Sequence, residues 1–131
     1  MQFSADFDST LNFVRAYSPA EIIVRDQVIR SSVIVSAREL FLDWAPRSVA
    51  QLRDEHLAPL FAFKAEIVLL GTGRRQEFPA TAILAAAARA GVGLEVMDTA
   101  AACRTYNVLL QEERRVVAAL MLAAEGVPGQ T

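Results

Sequence analysis

The run Gly71-Thr72-Gly73-Arg74-Arg75-Gln76 brings together groups able to hold an anion. Its two glycines permit backbone conformations that larger residues resist. A hydroxyl and two guanidinium groups sit beside them, and a helix is expected just beyond. Backbone donors, the positive end of a helix and arginine forks are what meet a phosphate or a carboxylate. The run is not a nucleotide fingerprint, because a dinucleotide loop needs a third glycine where Gln76 stands, and a P-loop needs Gly-Lys followed by Ser or Thr. Pro79 has no N–H and removes one donor from the following helix start. An exposed, weak, salt-sensitive anion surface is the sharp reading of Gly71, Thr72, Gly73, Arg74 and Arg75. A tight turn with solvated arginines is the plain one.

Other reactive side chains are few. Cys103 is the one cysteine and His56 the one histidine. They leave too few soft ligands for a zinc or iron-sulfur centre and allow no internal disulfide, so no metal and no cofactor is expected. A thiol becomes nucleophilic when its thiolate is stabilised. Arg104 adjoins Cys103, but neighbours along a helix do not face one another. Cys103 therefore reads as a small buried hydrophobe, and His56 as a helix-face residue. Asp98 stands roughly where a dinucleotide fold places its ribose-binding acid; it is also an ordinary helix cap, and the cap is preferred. The acid pairs Asp54-Glu55 and Glu112-Glu113 read as solvated faces, and no serine sits in a nucleophile elbow. Asn107 is a poor helix former inside a favourable helical run, which calls for a tertiary partner. Anchoring to backbone is preferred there, with a ligand contact beside the loop as the alternative. No catalytic residue is assigned.

Apolar periodicity supplies the elements that must position these groups. Residues 13–17, 21–24, 28–30 and 32–36 are rich in β-branched or aromatic side chains and are split by turn formers, which predicts strands joined mostly by hairpins. Val33-Ile34-Val35 lacks alternation and belongs inside a sheet. Phe41-Leu42-Asp43-Trp44-Ala45-Pro46 is an apolar, irregular connection, and any exposed part of Phe41, Leu42 and Trp44 is a candidate partner surface. Ser48 and Gln51 have capping-box spacing, which predicts a helix lined by Val49, Leu52 and His56 and stopped by Pro59. Beyond residue 65 the order becomes strand, helix, strand, helix, strand. The strands fall at 67–70, 94–97 and 116–122. One helix spans 80–90, with Pro79 at its first turn and Gly91 closing it; the next runs from Asp98 to about 110. Alanines 85–88 suggest close packing of the first. The last strand is apolar at every position, which places it near the sheet centre.

The 131 residues suit one domain, with an ordered core over about 11–124 and a flexible tail at 126–131. Hydrophobic residues make up 53% and charged residues 21%, a balance that favours a packed core over disorder. Net charge is -2 and the thirteen Lys and Arg are scattered, so no basic stripe for nucleic acid is present. The first residues carry Asp6 and Asp8 where a secretory signal needs basic residues. The uncharged stretches 78–88 and 116–124 fall short of the ~20 residues that span a bilayer, so no integral membrane segment is expected. The reducing cytoplasm is the expected compartment.

Motifs in the second half carry a family resemblance. Gly71-Thr72-Gly73, Phe78-Pro79, the run from Gly91 through Met97-Asp98-Thr99, and Ala102-Cys103-Arg104-Thr105-Tyr106-Asn107-Val108-Leu109 follow one another as in the Mth-type domain family, which this chain resembles over residues 66–122. That family of small domains includes a respiratory complex I assembly factor and an adipogenesis-associated protein. The resemblance implies an α/β, three-layer domain around a central mixed β-sheet, with a hairpin-rich N-terminal part, a strand-helix-strand-helix-strand C-terminal part and the last strand in the middle. One departure is Glu113, where relatives often carry glycine before the arginine. The resemblance supplies no reaction. It implies an assembly or interaction role for at least one eukaryotic branch. With the missing catalytic constellation, the leading expectation is a non-catalytic interaction or assembly module related to respiratory complex assembly, with protein partners and room for a homo-oligomer. The rival expectation is a small anionic-ligand-binding domain, or an unrecognised enzyme, using residues 71–76.

Overall fold

The computed structural model describes residues 10–122. The expectations for the N-terminal residues before these and for the tail at 126–131 lie outside the described residues.

Three short strands open the fold. β1 (Val14–Tyr17), β2 (Ile22–Val24) and β3 (Gln27–Ile29) form an antiparallel sheet in that order. Arg25 takes φ 56° in the two-residue turn between Val24 and its partner Gln27, a conformation that so tight a hairpin demands. A register shift between Val14 and Ala16 bends β1.

Among the described residues the main sheet has five strands. β4 (Val33–Ser36) and β5 (Leu40–Phe41) pair antiparallel, and β4 also pairs antiparallel with β8 (Val116–Leu120). β6 (Ile67–Gly71) then pairs parallel with β8 on one side and with β7 (Leu94–Met97) on the other, giving the order β5-β4-β8-β6-β7. All five residues of β8 are buried, as an uninterrupted apolar strand at the centre of a doubly covered sheet should be.

Two apolar clusters mark the two covered faces. On one, Leu69, Ala118 and Leu120 pack with the small sheet and with α3 (Thr99–Gln111). On the other, Val68, Leu70, Val117 and Ala119 pack with Trp44, Leu57, Leu60 and Ile83, the last from α2 (Thr81–Arg89). The result is a three-layer α/β domain around a mixed sheet.

Both longer helices end alike. The Gly91 and Val92 N–H groups return to the Ala88 and Ala87 carbonyls, and the Glu113 and Arg114 N–H groups to the Leu110 and Leu109 carbonyls. This Schellman closure needs a left-handed residue. Gly91 supplies it at φ 79°, and Glu113 supplies it at φ 63° without being glycine.

One stretch departs from expectation. Instead of one helix from Ser48 to Pro59, the chain makes two 3-10 turns, Val49–Gln51 and Asp54–Leu57, followed by α1 (Ala58–Ala62). Ser48 makes no side-chain cap bond, and the Gln51 side-chain Oε1 accepts from the Arg47 N–H instead. Pro59 opens α1 rather than stopping a helix, because its missing N–H costs nothing in a first turn. His56 is drawn off the expected face to cap the second turn, its Nδ1 accepting from the Arg53 N–H at 2.9 Å. Pro79 likewise precedes the α2 cap, Ala80, and lies outside the helix.

Candidate functional site

The loop at 71–77 leaves the C-terminal end of β6 for α2 on one face of the sheet, while the neighbouring β7 leads to α3 on the other. Adjacent strands whose connections diverge in this way form a topological switch point, where open α/β sheets hold ligands.

In this chain the switch point is laced shut. The Thr72 N–H donates to the Met97 carbonyl at 2.9 Å, and the Gly73 N–H donates to Thr99 Oγ1 at 2.8 Å. The Thr99 N–H in turn donates to the Gly73 carbonyl at 2.9 Å, and its hydroxyl donates to the Met121 carbonyl at 2.7 Å. Thr72 Oγ1 donates to the Arg75 carbonyl and accepts from the Glu77 N–H. Both threonines are buried. A Cβ on Gly71 would lie 3.0 Å from Thr99 Cα, so glycine is required for the start of α3 to pack on the end of β6. Gly73 takes φ 94°, which favours glycine independently of space.

The Thr72 and Gly73 backbone donors and the Thr72 hydroxyl, which could meet an anion, are therefore committed inward. Asp98 caps α3 through a bond from the Ala101 N–H at 2.8 Å, occupying the helix start where an anion would sit. Arg74 and Arg75 are exposed and point the site's charge outward, and Arg74 makes no ion pair among the described residues. Phe78, next along, is 67% exposed, although Pro79 beside it is buried.

Asn107 does not join this loop. It lies eight residues beyond Thr99 on α3, about 12 Å along the helix at ~1.5 Å per residue. Its amide is spent on β1, with Oδ1 accepting from the Val14 N–H at 2.9 Å and Nδ2 donating to the Val14 carbonyl at 2.8 Å. It therefore has the tertiary partner that its helical context called for, and the ligand contact is corrected to backbone anchoring. Tyr106 adds a bond from its hydroxyl to the Asn12 carbonyl at 2.7 Å.

Trp44 is also corrected as a partner-surface residue. It is 3% exposed, packs in the helical layer and donates its indole N–H to the His56 carbonyl at 3.0 Å. A buried Trp needs such a partner. Phe41 and Leu42 remain at the surface, 42% and 44% exposed.

Among the described residues three groups are shifted from their ordinary values. Burial pushes the Cys103 thiol up to about 12, and neighbouring Arg104 offsets this only in part. Burial likewise raises Tyr106. Glu66 is lowered, chiefly by accepting the Arg115 N–H and then by the Arg114 side chain, an exposed clamp on the entry to β8. Among the described residues no group of three or more His, Cys, Asp or Glu could hold a metal ion, and no helix is long and apolar enough to cross a membrane.

Sequence reasoning missed Thr99 and Gln76. The sequence assigns Asp98 a cap and Thr99 no bonding role, whereas Thr99 locks the loop. The Gln76 amide donates to the Val96 carbonyl at 2.9 Å. Nothing local in the sequence announces that cross-strand bond.

A mixed five-stranded sheet, covered by a small antiparallel sheet with α3 on one face and short helices on the other, and with a closed switch point, defines the class. Residues 14–121 match the family described as a protein of unknown function (DUF498/DUF598), and the chain belongs to it. It is 30% identical over 106 residues to the 13 kDa major membrane protein of Francisella tularensis subsp. holarctica, covering 79% of this chain and 85% of that protein. It is 34% identical over 122 residues to NADH dehydrogenase (ubiquinone) 1 alpha subcomplex assembly factor 3 of Xenopus tropicalis. That match covers 88% of this chain but 63% of the frog protein's length. A Mth938-like domain from Bordetella pertussis superposes with a TM-score of 0.78 at 28% identity, covering 95% of this chain and 94% of that one. The Mth-type resemblance is thereby shown.

Proposed function

We propose that this chain is a non-catalytic interaction module, folded as one domain, that helps assemble a respiratory-type multisubunit complex. The observation that carries the reading is its similarity, over most of its length, to a protein named as an assembly factor of NADH dehydrogenase. The closed switch point supports it, because loop donors turned inward leave little for a small ligand. Exposed Phe41, Leu42 and Phe78 supply apolar contact area, and Arg74 and Arg75 can receive acidic side chains of a partner. The proposal includes a cytoplasmic location, no cofactor, no nucleic-acid partner and tolerance of a homo-oligomer.

The test is crosslinking and affinity capture from the native cell, read by mass spectrometry for proteins and retained metabolites. Recovery of subunits of a membrane-bound oxidoreductase, or of their assembly machinery, in near-stoichiometric amount is expected. Recovery of a bound metabolite without any protein partner would refute the module and revive the ligand-binding loop.

A further inference from the structure

Among the described residues β7 is an edge of the main sheet, paired only with β6. Backbone groups alternate in direction along a parallel strand. The Met97 carbonyl is turned inward to accept the Thr72 N–H, so Leu94 and Val96 present their N–H and C=O groups to the open edge. At that edge one group is already met: the Val96 carbonyl accepts the Gln76 side-chain amide at 2.9 Å. A primary amide there takes the place of a neighbouring strand's N–H.

The side chains along this edge are only half covered. Val92, Leu94 and Val96, at every second residue, form an apolar row packed at the margin of the helical-face cluster, and none is fully buried. Glu95, on the other face, is exposed and makes no ion pair among the described residues. An added strand would complete the burial of the row and extend the ladder. It would also bring one side chain opposite Glu95, where opposite charge is favoured and like charge is not. A second copy pairing antiparallel about the same strand would set Glu95 against its own counterpart. Such charges protect edges from self-association.

We propose that the outer edge of β7 is a strand-addition site for an extended segment of a partner protein carrying a basic side chain between two apolar ones, with the Gln76 side chain as its displaceable plug. The site rests on the interaction-module reading above and gives that module a surface and a partner chemistry. Main-chain bonds to Leu94 and Val96 supply affinity, while the apolar row and Glu95 supply the pattern.

The experiment titrates the full chain with a capped peptide Thr-Val-Lys-Val-Thr and follows its amides by nuclear magnetic resonance and hydrogen exchange. Shifts and added protection centred on the Leu94 and Val96 amides are expected. The same peptide with Glu at its centre should bind roughly fivefold more weakly or worse. Gln76→Ala should tighten binding of the Lys peptide, and Glu95→Lys should reverse the order of the two peptides. Val96→Pro removes an outward N–H without touching the β6 ladder and should abolish binding. No response at those two amides, or an unchanged peptide order on Glu95→Lys, overturns the site whether or not Val96→Pro folds. Repeating the cellular capture with Val96→Pro separates the two claims. A partner held by the wild type and retained by folded Val96→Pro overturns the edge site while the module stands. If neither captures a partner, the module fails and the peptide titration alone decides the edge.

Discussion

Replacing Asn107 tests the junction between the two halves of the chain. Its amide meets both backbone groups of Val14, and Asn107 and Val14 are both buried, at 3% and 0% exposure. Asn107→Leu keeps the branching and the number of heavy atoms, and raises helix propensity, but strands one N–H and one C=O away from water. Each unsatisfied group costs about 1–3 kcal/mol, so a loss of ~2–6 kcal/mol is expected, a large share of the ~5–15 kcal/mol that holds a domain folded. Asn107→Asp should be no better, because it offers an acceptor to the Val14 N–H but sets a buried carboxylate against the Val14 carbonyl. Urea unfolding followed by circular dichroism gives the total, and hydrogen exchange at the Val14 amide gives the local part. A loss below about 0.5 kcal/mol, with Val14 exchange unchanged, would refute the anchoring argument, since surface positions without such partners lie in that range.

Three further perturbations follow from the same geometry. Cys103 stays protonated when folded up to about pH 12 but ionises near 9 when unfolded; the unfolded state therefore holds fewer protons between these values. Stability contributed by this group is full below pH 9 and is lost as pH rises toward 12, by up to ~1.4 kcal/mol per pH unit, and Cys103→Ala should flatten that fall in denaturant titrations at stepped pH. Glu113→Gly should stabilise the protein by about 1 kcal/mol by relieving a left-handed residue, whereas Gly91→Ala should destabilise it by ~1 kcal/mol, both read as shifts of the denaturation midpoint. Arg74→Ala with Arg75→Ala should leave stability within about 0.5 kcal/mol while weakening capture of an acidic partner, and full retention of that partner in high and low salt would remove the arginines from the contact surface.

The strand-helix-strand-helix-strand half was legible because its signals are local. Gly91 marks a helix end, Asp98 caps the next helix, and the unbroken apolar run at 116–120 marks the central strand. The stretch at 48–62 misled because Ser48-x-x-Gln51 and Pro59 each have two meanings. Tertiary demands decided them: the Trp44 indole takes the His56 carbonyl, which holds the chain in short turns rather than one helix. For the site, the sequence located the loop but not its state. Whether Gly73 offers its N–H outward depends on Thr99, 26 residues away, and no spacing rule joins the two. The expectation attached to position 113 has a physical counterpart, since Glu113 takes the left-handed conformation that glycine favours.

The closed switch point bears on how the fold can be used. To admit an anion between β6 and β7, the loop would have to release the Gly73 N–H from Thr99 Oγ1 and the Thr99 N–H from the Gly73 carbonyl. Each buried group left without a partner costs about 1–3 kcal/mol, and every ~1.4 kcal/mol is tenfold in affinity. A ligand would thus start with a handicap of roughly tenfold or more for each group it fails to satisfy. A strand laid along β7 breaks only the exposed Gln76 amide bond and satisfies groups that already face outward. Phe78, Phe41 and Leu42 are likewise exposed without any rearrangement. On the proposed interaction-module reading, the same threonines that seal the strand ends leave the sheet edge and the outer loops as the surfaces open to a protein partner.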